Sequence, residues 1–115
     1  MNNNKSCLKI STITPVYAGA EYLTELVTQI DRVRYKWCSD NAPFSLTEAI
    51  FVDDAAVDDS SVLLDQLAKA YPWIKVLHLS RNYGQHAATI AGILHSSGDW
   101  IVTLDEDLQH PPEKI

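Results

Sequence analysis

The sequence predicts an α/β fold, a parallel sheet of four strands joined by crossover helices, and three observations carry that expectation. Four short apolar, β-branched runs alternate along the chain with three longer stretches of 3.6-residue apolar period. Alternation of this kind builds a parallel sheet, because each parallel neighbour needs a crossover. Polar or charged residues gather at the C-terminal end of every strand-like run, which is where open parallel sheets bind ligands. The chain has 115 residues, 46% hydrophobic and 21% charged, enough for one real core and ordinary for a globular domain.

The first run, residues 8–14, is ended by Pro15. The helix expected over 22–37 carries Leu23, Leu26, Val27, Ile30, Val33 and Trp37 on one stripe, and Pro43 marks the break after it. A strand over 48–52 follows, then a helix over 60–71 with Leu63, Leu64, Leu67, Ala68 and Tyr71 inward. Asp58, Asp59 or Ser60 can cap that helix by accepting its first free N–H groups. Residues 74–79 form the third run, and 86–97 a third helix with Ala87, Ile90, Ala91 and Leu94 as its core face and Gly98 as C-cap. The last run, WIVTL at 100–104, is apolar enough for a buried strand. PPEKI at 111–115 should begin a fourth helix, so the expectation is a chain truncated before that strand receives its cover, with an open edge able to pair with a second copy.

Composition excludes several classes of function. The net charge is −6 and the nine Lys and Arg are scattered, which argues against a nucleic-acid partner. Cys7 and Cys38 are too few and too irregular for a disulfide framework or a zinc site, so reduced thiols and a cytoplasmic setting are expected. No apolar run approaches the roughly 20 residues of a membrane span, and the N-terminus lacks a basic region followed by an apolar core. Residues 1–6 are expected to be a disordered tail, leaving 7–115 as the folded part. There is no G-x-G-x-x-G after the first strand, no G-x-x-x-x-G-K-[ST] and no G-x-S-x-G, so dinucleotide, P-loop and serine-hydrolase readings lose their support.

The strand ends carry Thr14-Pro15-Val16-Tyr17, Asp53-Asp54, Ser80-Arg81-Asn82 and Asp105-Glu106-Asp107. In an extended segment, side chains two apart share a face, so Asp105 and Asp107 point one way and Glu106 the other, with Gln109 one more step of two along. Two carboxylates and an amide oxygen suit Mg²⁺ or Mn²⁺, which leave their other positions to water and phosphate oxygens. A bare D-x-D triplet is common by chance, and a solvated acidic turn stopped by Pro111 and Pro112 is the bland alternative. Asp53 and Asp54 can accept from a base ring N–H or ribose hydroxyls, although such a pair is more often a turn or a helix cap. Arg81 can face a diphosphate or sit in a surface ion pair. Gly84 and His86 open the third helix, whose N-terminal N–H groups favour anions. Tyr17 offers a ring for base stacking or simply a rim aromatic.

Taken together, four segments resemble the family 2 glycosyltransferases of the GT-A fold across nearly the whole chain. They are TPVYAGAEYL (14–23), VDDAAVDDS (52–60), LSRNYGQHAATIAGI (79–93) and GDWIVTLDEDLQHPPE (98–113). The last two are most similar to the branch that moves sugars onto polyprenyl or dolichyl phosphate, with its R-N-[FY]-G and D-x-D-L-Q-x-P-P-E. The resemblance implies the N-terminal, Rossmann-like nucleotide-sugar-binding half of a GT-A domain, with parallel strands in the order 3-2-1-4. It implies that Pro15, Tyr17 and Glu21 border the nucleobase, that Asp53 binds the base with Asp54 beside it, and that Asp105 meets the ribose and diphosphate. Arg81 joins the nucleotide set, and Asp107, Asp105 and Gln109 hold Mg²⁺ or Mn²⁺. The family's D-D-G-S-x-D reads Asp53-Asp54-Ala55-Ala56-Val57-Asp58 here, and if the usual Gly needs φ > 0, Ala55 adds strain of order 1 kcal/mol. The Asn usual after P-x-Y is Ala18.

The implied chemistry is inverting transfer of a hexose from a UDP- or GDP-linked sugar to a polyprenyl phosphate or a growing polysaccharide, at the cytoplasmic face of a membrane in a longer protein. The family's acceptor side and its acid or base lie downstream, so no catalytic residue is assigned within these 115 residues. The alternative is a non-catalytic nucleotide-binding or interaction module, with Ala55 and Ala56 as marks of decay. A sugar nucleotidyltransferase ranks last, because 14–23 lacks an early Gly-rich, basic loop.

Overall fold

The computed structural model describes residues 7–106; the expected tail 1–6, Asp107, Gln109 and the helix expected to begin in 111–115 lie outside the described residues. Its elements are β1 (Leu8–Val16), α1 (Ala20–Ser39), β2 (Phe44–Asp53), α2 (Ser60–Ala70), β3 (Ile74–His78), α3 (Gln85–Leu94) and β4 (Trp100–Thr103). The four strands are parallel and ordered β3-β2-β1-β4, as the resemblance implies.

The sheet separates two apolar layers by the alternation of its strands. Val16, Ala49 and Phe51 pack with Leu23, Leu26, Val27 and Ile30 of α1 and Leu64 of α2, whereas Ile13, Ile50 and Val52 face Ala88 of α3. Burying each large aliphatic side chain contributes roughly 1.5–3 kcal/mol, so the α1 layer, with five buried α1 side chains, dominates the core.

Several boundaries and faces differ from expectation, α1 running from Ala20 to Ser39 among them, and four of the differences shape the packing. β1 runs through Pro15 to Val16, paired with β2 as far as Asp53. The Val16 carbonyl accepts from Asp54 N–H on the β2 side and the Ile13 carbonyl from Leu104 N–H on the β4 side, so Pro15, in phase with Ile13, directs its missing donor towards β4 where that ladder ends at Thr103. β2 starts at Phe44, four residues early, because the Phe44 ring packs edge-on against Trp37 at 4.6 Å and a register shift after Ile10 absorbs Thr47 and brings Glu48 opposite Ser11.

The third difference is the face of α3. Ala88 and Gly92 are buried, while Ile90 and Leu94 are 57% and 78% exposed. A Cβ on Gly92 would come within 2.5 Å of Ile13 Cγ2, so the helix approaches β1 by its smallest residues and the sequence stripe is rotated outwards. α3 also ends at Leu94 with His95 as its C-cap, and Gly98 serves instead to let the chain pass within 2.8 Å of the Ser11 backbone nitrogen, measured from where its Cβ would be.

The fourth is β4, which is not a buried strand: Trp100 is 62% exposed. It pairs with β1 on one edge, and among the described residues no strand pairs with the other.

Candidate functional site

The site grows from the C-terminal ends of β1, β2 and β4 and the N-terminus of α3. Alternation at the end of β2 sends its two acids to opposite faces. Asp53 and Asp54 are each 3% exposed, yet they do different things.

Asp53 turns to the α2 side. Its carboxylate accepts from Ala56 N–H at 2.8 Å, from the Ser61 hydroxyl, and from His78 Nδ1 at 2.7 Å. Burial by itself would raise its pKa, but these donors outweigh it and hold the carboxyl below the usual carboxylate range. The set bends the 53–56 turn back on itself, and Ala55 takes φ +54°, the left-handed conformation that the missing glycine would favour.

Asp54 turns the other way, to α3. It accepts from the backbone N–H groups of Tyr83 at 2.8 Å and Gly84 at 3.0 Å, and its own carbonyl receives Asn82 Nδ2 at 3.2 Å. Gly84 stands at φ +97° immediately before α3, a conformation open to glycine at no steric cost. Asp54 therefore anchors the turn that aims the α3 N-terminus at the strand ends.

Between these elements lies an open cleft of about 440 Å³, lined by Pro15, Tyr17, Asp54, Asn82, Gln85 and Glu106 among others. A second cleft of about 300 Å³ adjoins it, sharing Pro15 and Gln85 and reaching Asp105, His86 and Thr89. Together they form a groove across the ends of β1 and β4, with the first turn of α3 as its floor.

Of the residues named from sequence, Pro15, Tyr17, Asp54 and Asp105 line this groove. Asp53 does not, because its carboxylate is engaged on the α2 side. Glu21 is exposed in the first turn of α1, outside both clefts. Arg81 lies with its guanidinium 5.2 Å over the Tyr83 ring rather than in the groove. Of the metal set, Asp105 is described and Asp107 and Gln109 are not; among the described residues no three His, Cys, Asp or Glu side chains cluster as metal ligands. Cys7 and Cys38 are free and exposed.

Three residues take parts in the structure that the sequence does not announce. Glu106 was placed on the face opposite Asp105, which holds, but without a role; its Oε1 accepts from the N–H groups of Tyr17 at 2.9 Å and Ala18 at 3.1 Å. His78 joins Asp53 to Asp65 on α2, at 2.7 and 2.8 Å. Asp58, expected as a cap, accepts from Ser60 N–H at 3.0 Å and also from Ala20 N–H at 3.2 Å, tying the start of α2 to the start of α1. The sequence carries a signal for Glu106, in the two-residue alternation past β4, and for Asp58, in its place before α2, but none for His78.

The chain matches the family model for glycosyl transferase family 2 over residues 11–115. It is 40% identical over 108 residues to the undecaprenyl-phosphate 4-deoxy-4-formamido-L-arabinose transferase of Klebsiella pneumoniae subsp. pneumoniae, and 40% identical over 112 residues to the Salmonella choleraesuis protein of the same name. In both comparisons 93% of this chain aligns with 31% of the relative, so the chain spans about a third of the length of these relatives. Among solved structures, the mannosyltransferase PcManGT of Pyrobaculum calidifontis in complex with GDP-Man and Mn²⁺ superposes with a TM-score of 0.71 at 20% identity, over 88% of this chain and 28% of that one. S. aureus TarS in complex with UDP-GlcNAc gives 0.67 at 22% identity, over 87% and 27%. These likenesses establish the fold, the GT-A arrangement of parallel strands and crossover helices. With four sequence segments, the strand order and the family match in agreement, the chain belongs to glycosyl transferase family 2.

Proposed function

We propose that this chain is the donor-nucleotide half of a glycosyltransferase, binding a UDP- or GDP-linked sugar in the groove across β1, β4 and α3. One observation carries the reading: Asp54, Tyr17 and Pro15 converge on one cleft at the strand ends, with the α3 N-terminus beside them. The Asp53-Asp54 pair flanks the base in this reading, Asp54 at the cleft wall, where its carboxylate fixes the Tyr83 and Gly84 N–H groups, and Asp53 behind it. Tyr17, 42% exposed, offers a face on which a base can stack. The diphosphate then lies towards Asp105 and the first N–H groups of α3, whose dipole favours an anion.

Asp105, with Asp107 and Gln109, presents hard oxygen donors that fit Mg²⁺ or Mn²⁺, which when bound would offset charge on the departing diphosphate. The reaction proposed for the longer protein is inverting transfer. An acceptor oxygen forms a bond to the anomeric carbon of the sugar, the bond from that carbon to the diphosphate oxygen breaks, and the nucleoside diphosphate leaves. The 40% identity to transferases named for undecaprenyl phosphate favours a polyprenyl phosphate acceptor, whose dianion needs little help from a general base. Such an acceptor would place the full protein at the cytoplasmic face of a membrane; no helix among the described residues is long and apolar enough to cross one. The open edge of β4 gives this piece a surface for pairing with a second copy, and sedimentation showing a clean monomer would count against that.

Titration calorimetry with UDP and GDP, with and without Mn²⁺, tests the reading. Binding of one nucleotide that strengthens with Mn²⁺, weakens in Asp54→Asn and loses its metal dependence in Asp107→Ala is expected. A folded chain that binds neither nucleotide refutes it. A second reading, a non-catalytic module, draws on the strained Ala55 beside Asp54 and expects weak binding with no metal dependence.

A further inference from the structure

The residue between the two acids of the D-E-D triplet does something that neither neighbour does. Leu104 is buried in the layer against α1, Asp105 turns into the smaller cleft near α3, and Glu106 turns back to the α1 side. There one carboxylate oxygen, Oε1, receives two consecutive backbone N–H groups, Tyr17 at 2.9 Å and Ala18 at 3.1 Å. The chain closes round it: a Cβ added at Gly19 would stand 2.6 Å from the same oxygen. The Tyr17 carbonyl is held separately, by Val57 N–H at 3.0 Å. The loop from 17 to 19 is thus fastened by its carbonyl to the turn after β2 and by its N–H groups to the segment after β4. Tyr17 and Glu106 border the same cleft.

We propose that Glu106 is a positioning residue that latches the Tyr17 loop to the end of β4, so that the loop stacking the base and the neighbouring Asp105 are held in one arrangement. The inference rests on the nucleotide reading above and goes beyond it in assigning a role to the middle residue of the triplet. Its physical basis is the charge-assisted pair of bonds. A carboxylate beside a diphosphate site would repel the ligand if left loose; two N–H donors draw its charge to the α1 side and spend it on ordering the loop. With the loop ordered in advance, less conformational entropy is lost when a nucleotide binds. Glu106 is only half-buried and outside the apolar layers, so removing it leaves the core intact.

Three variants test this: Glu106→Ala, Glu106→Gln, and Gly19→Ala, which crowds the latch without removing it. UDP and GDP are titrated in the presence of Mn²⁺, melting temperatures are compared, and hydrogen exchange is followed at the Tyr17 and Ala18 amides. Glu106→Ala should weaken the nucleotide that binds by roughly tenfold and speed exchange at those two amides, with the melting temperature held. Gly19→Ala should do the same in part, and Glu106→Gln, whose amide oxygen accepts the same bonds without the charge, should restore part of the affinity. Equal or tighter binding by Glu106→Ala, failure of Gln to rescue, or a collapse of thermal stability in the Ala variant would each overturn the latch while leaving the nucleotide reading in place. If the unsubstituted chain bound neither nucleotide, the nucleotide reading itself would fall, and the latch with it.

Discussion

His78 Nδ1 lies 2.7 Å from Asp53 Oδ2 and its Nε2 lies 2.8 Å from Asp65 Oδ1, so one imidazole at the end of β3 joins the last residue of β2 to the second turn of α2. A ring facing carboxylates from both nitrogens donates from both, which is the protonated form. Through Asp53 it supports the turn from which Asp54 enters the cleft.

That arrangement makes stability depend on pH in a defined direction. The bonds to Asp65 and Asp53 raise the His78 pKa above its ordinary 6.5, against a smaller opposing effect of burial. Its contribution is therefore complete below pH 6.5 and lost as pH rises through the raised value. Urea midpoints measured from pH 6 upward should decline in the unsubstituted chain, and this decline should be absent in His78→Gln. A flat profile in the unsubstituted chain would contradict the doubly bonded ring.

A second titration acts at the far end of the sheet. Glu48 is 3% exposed and pairs with Lys75 Nζ at 2.6 Å, while its other oxygen accepts from Ser11 Oγ at 2.6 Å and Ser97 N–H at 2.6 Å. Burial raises its pKa, but Lys75, Ser11 and Ser97 together outweigh burial and bring it from 4.5 down to about 2. A depressed carboxylate contributes above its unfolded value and loses the contribution as pH falls through the folded one, here between about 4.5 and 2. The loss amounts to about 3 kcal/mol across that window. Acid unfolding followed by circular dichroism should be shallower over this range in Glu48→Gln, which starts from a lower stability at pH 7.

Ala55 at φ +54° is strained in the turn between the two halves of the site. Replacing it by glycine removes the Cβ clash while loosening the unfolded chain, so Ala55→Gly should stabilise by up to about 1 kcal/mol. Thermal melting checks this, and a destabilised variant would show that the turn does not hold that conformation.

Gly92 has the opposite character. An added methyl would meet Ile13 Cγ2 at 2.5 Å and Val52 Cγ2 at 3.1 Å, both in the packed layer under α3. Although alanine is the better helix former by about 1 kcal/mol, overpacking against two β-branched side chains costs about 1–3 kcal/mol. Gly92→Ala should therefore be neutral to destabilising by denaturant titration, and clear stabilisation would mean that α3 stands off the sheet.

The groove was legible where strand alternation and strand ends decide it. Pro15, Tyr17, Asp54 and Asp105 were named from sequence and do border the groove, because a parallel sheet brings all its C-terminal ends to one side. Which of Asp53 and Asp54 borders the cleft was not legible: both acids end the same strand, and the answer depends on which face is occupied by α2 and which is left open beside α3. Arg81 and Glu21, which the resemblance implies for the nucleotide set, lie outside the two clefts, Arg81 over the Tyr83 ring and Glu21 exposed on the first turn of α1. His78 carried no signal, since Asp65 stands 13 residues away in the chain and becomes its partner only when α2 folds back along β3.

By itself the sequence determined the order and kind of the elements, since period 2 and period 3.6 are written into local apolar spacing, and it determined that acids would gather where the strands end. Only tertiary structure decided which face of α3 is inside, because Gly92 is admitted to Ile13 by shape rather than by hydrophobicity. It also decided the roles of Asp53, Asp54 and Glu106. A carboxylate's function depends on the donors it meets, and those donors arrive from segments as far as 89 residues away in the chain.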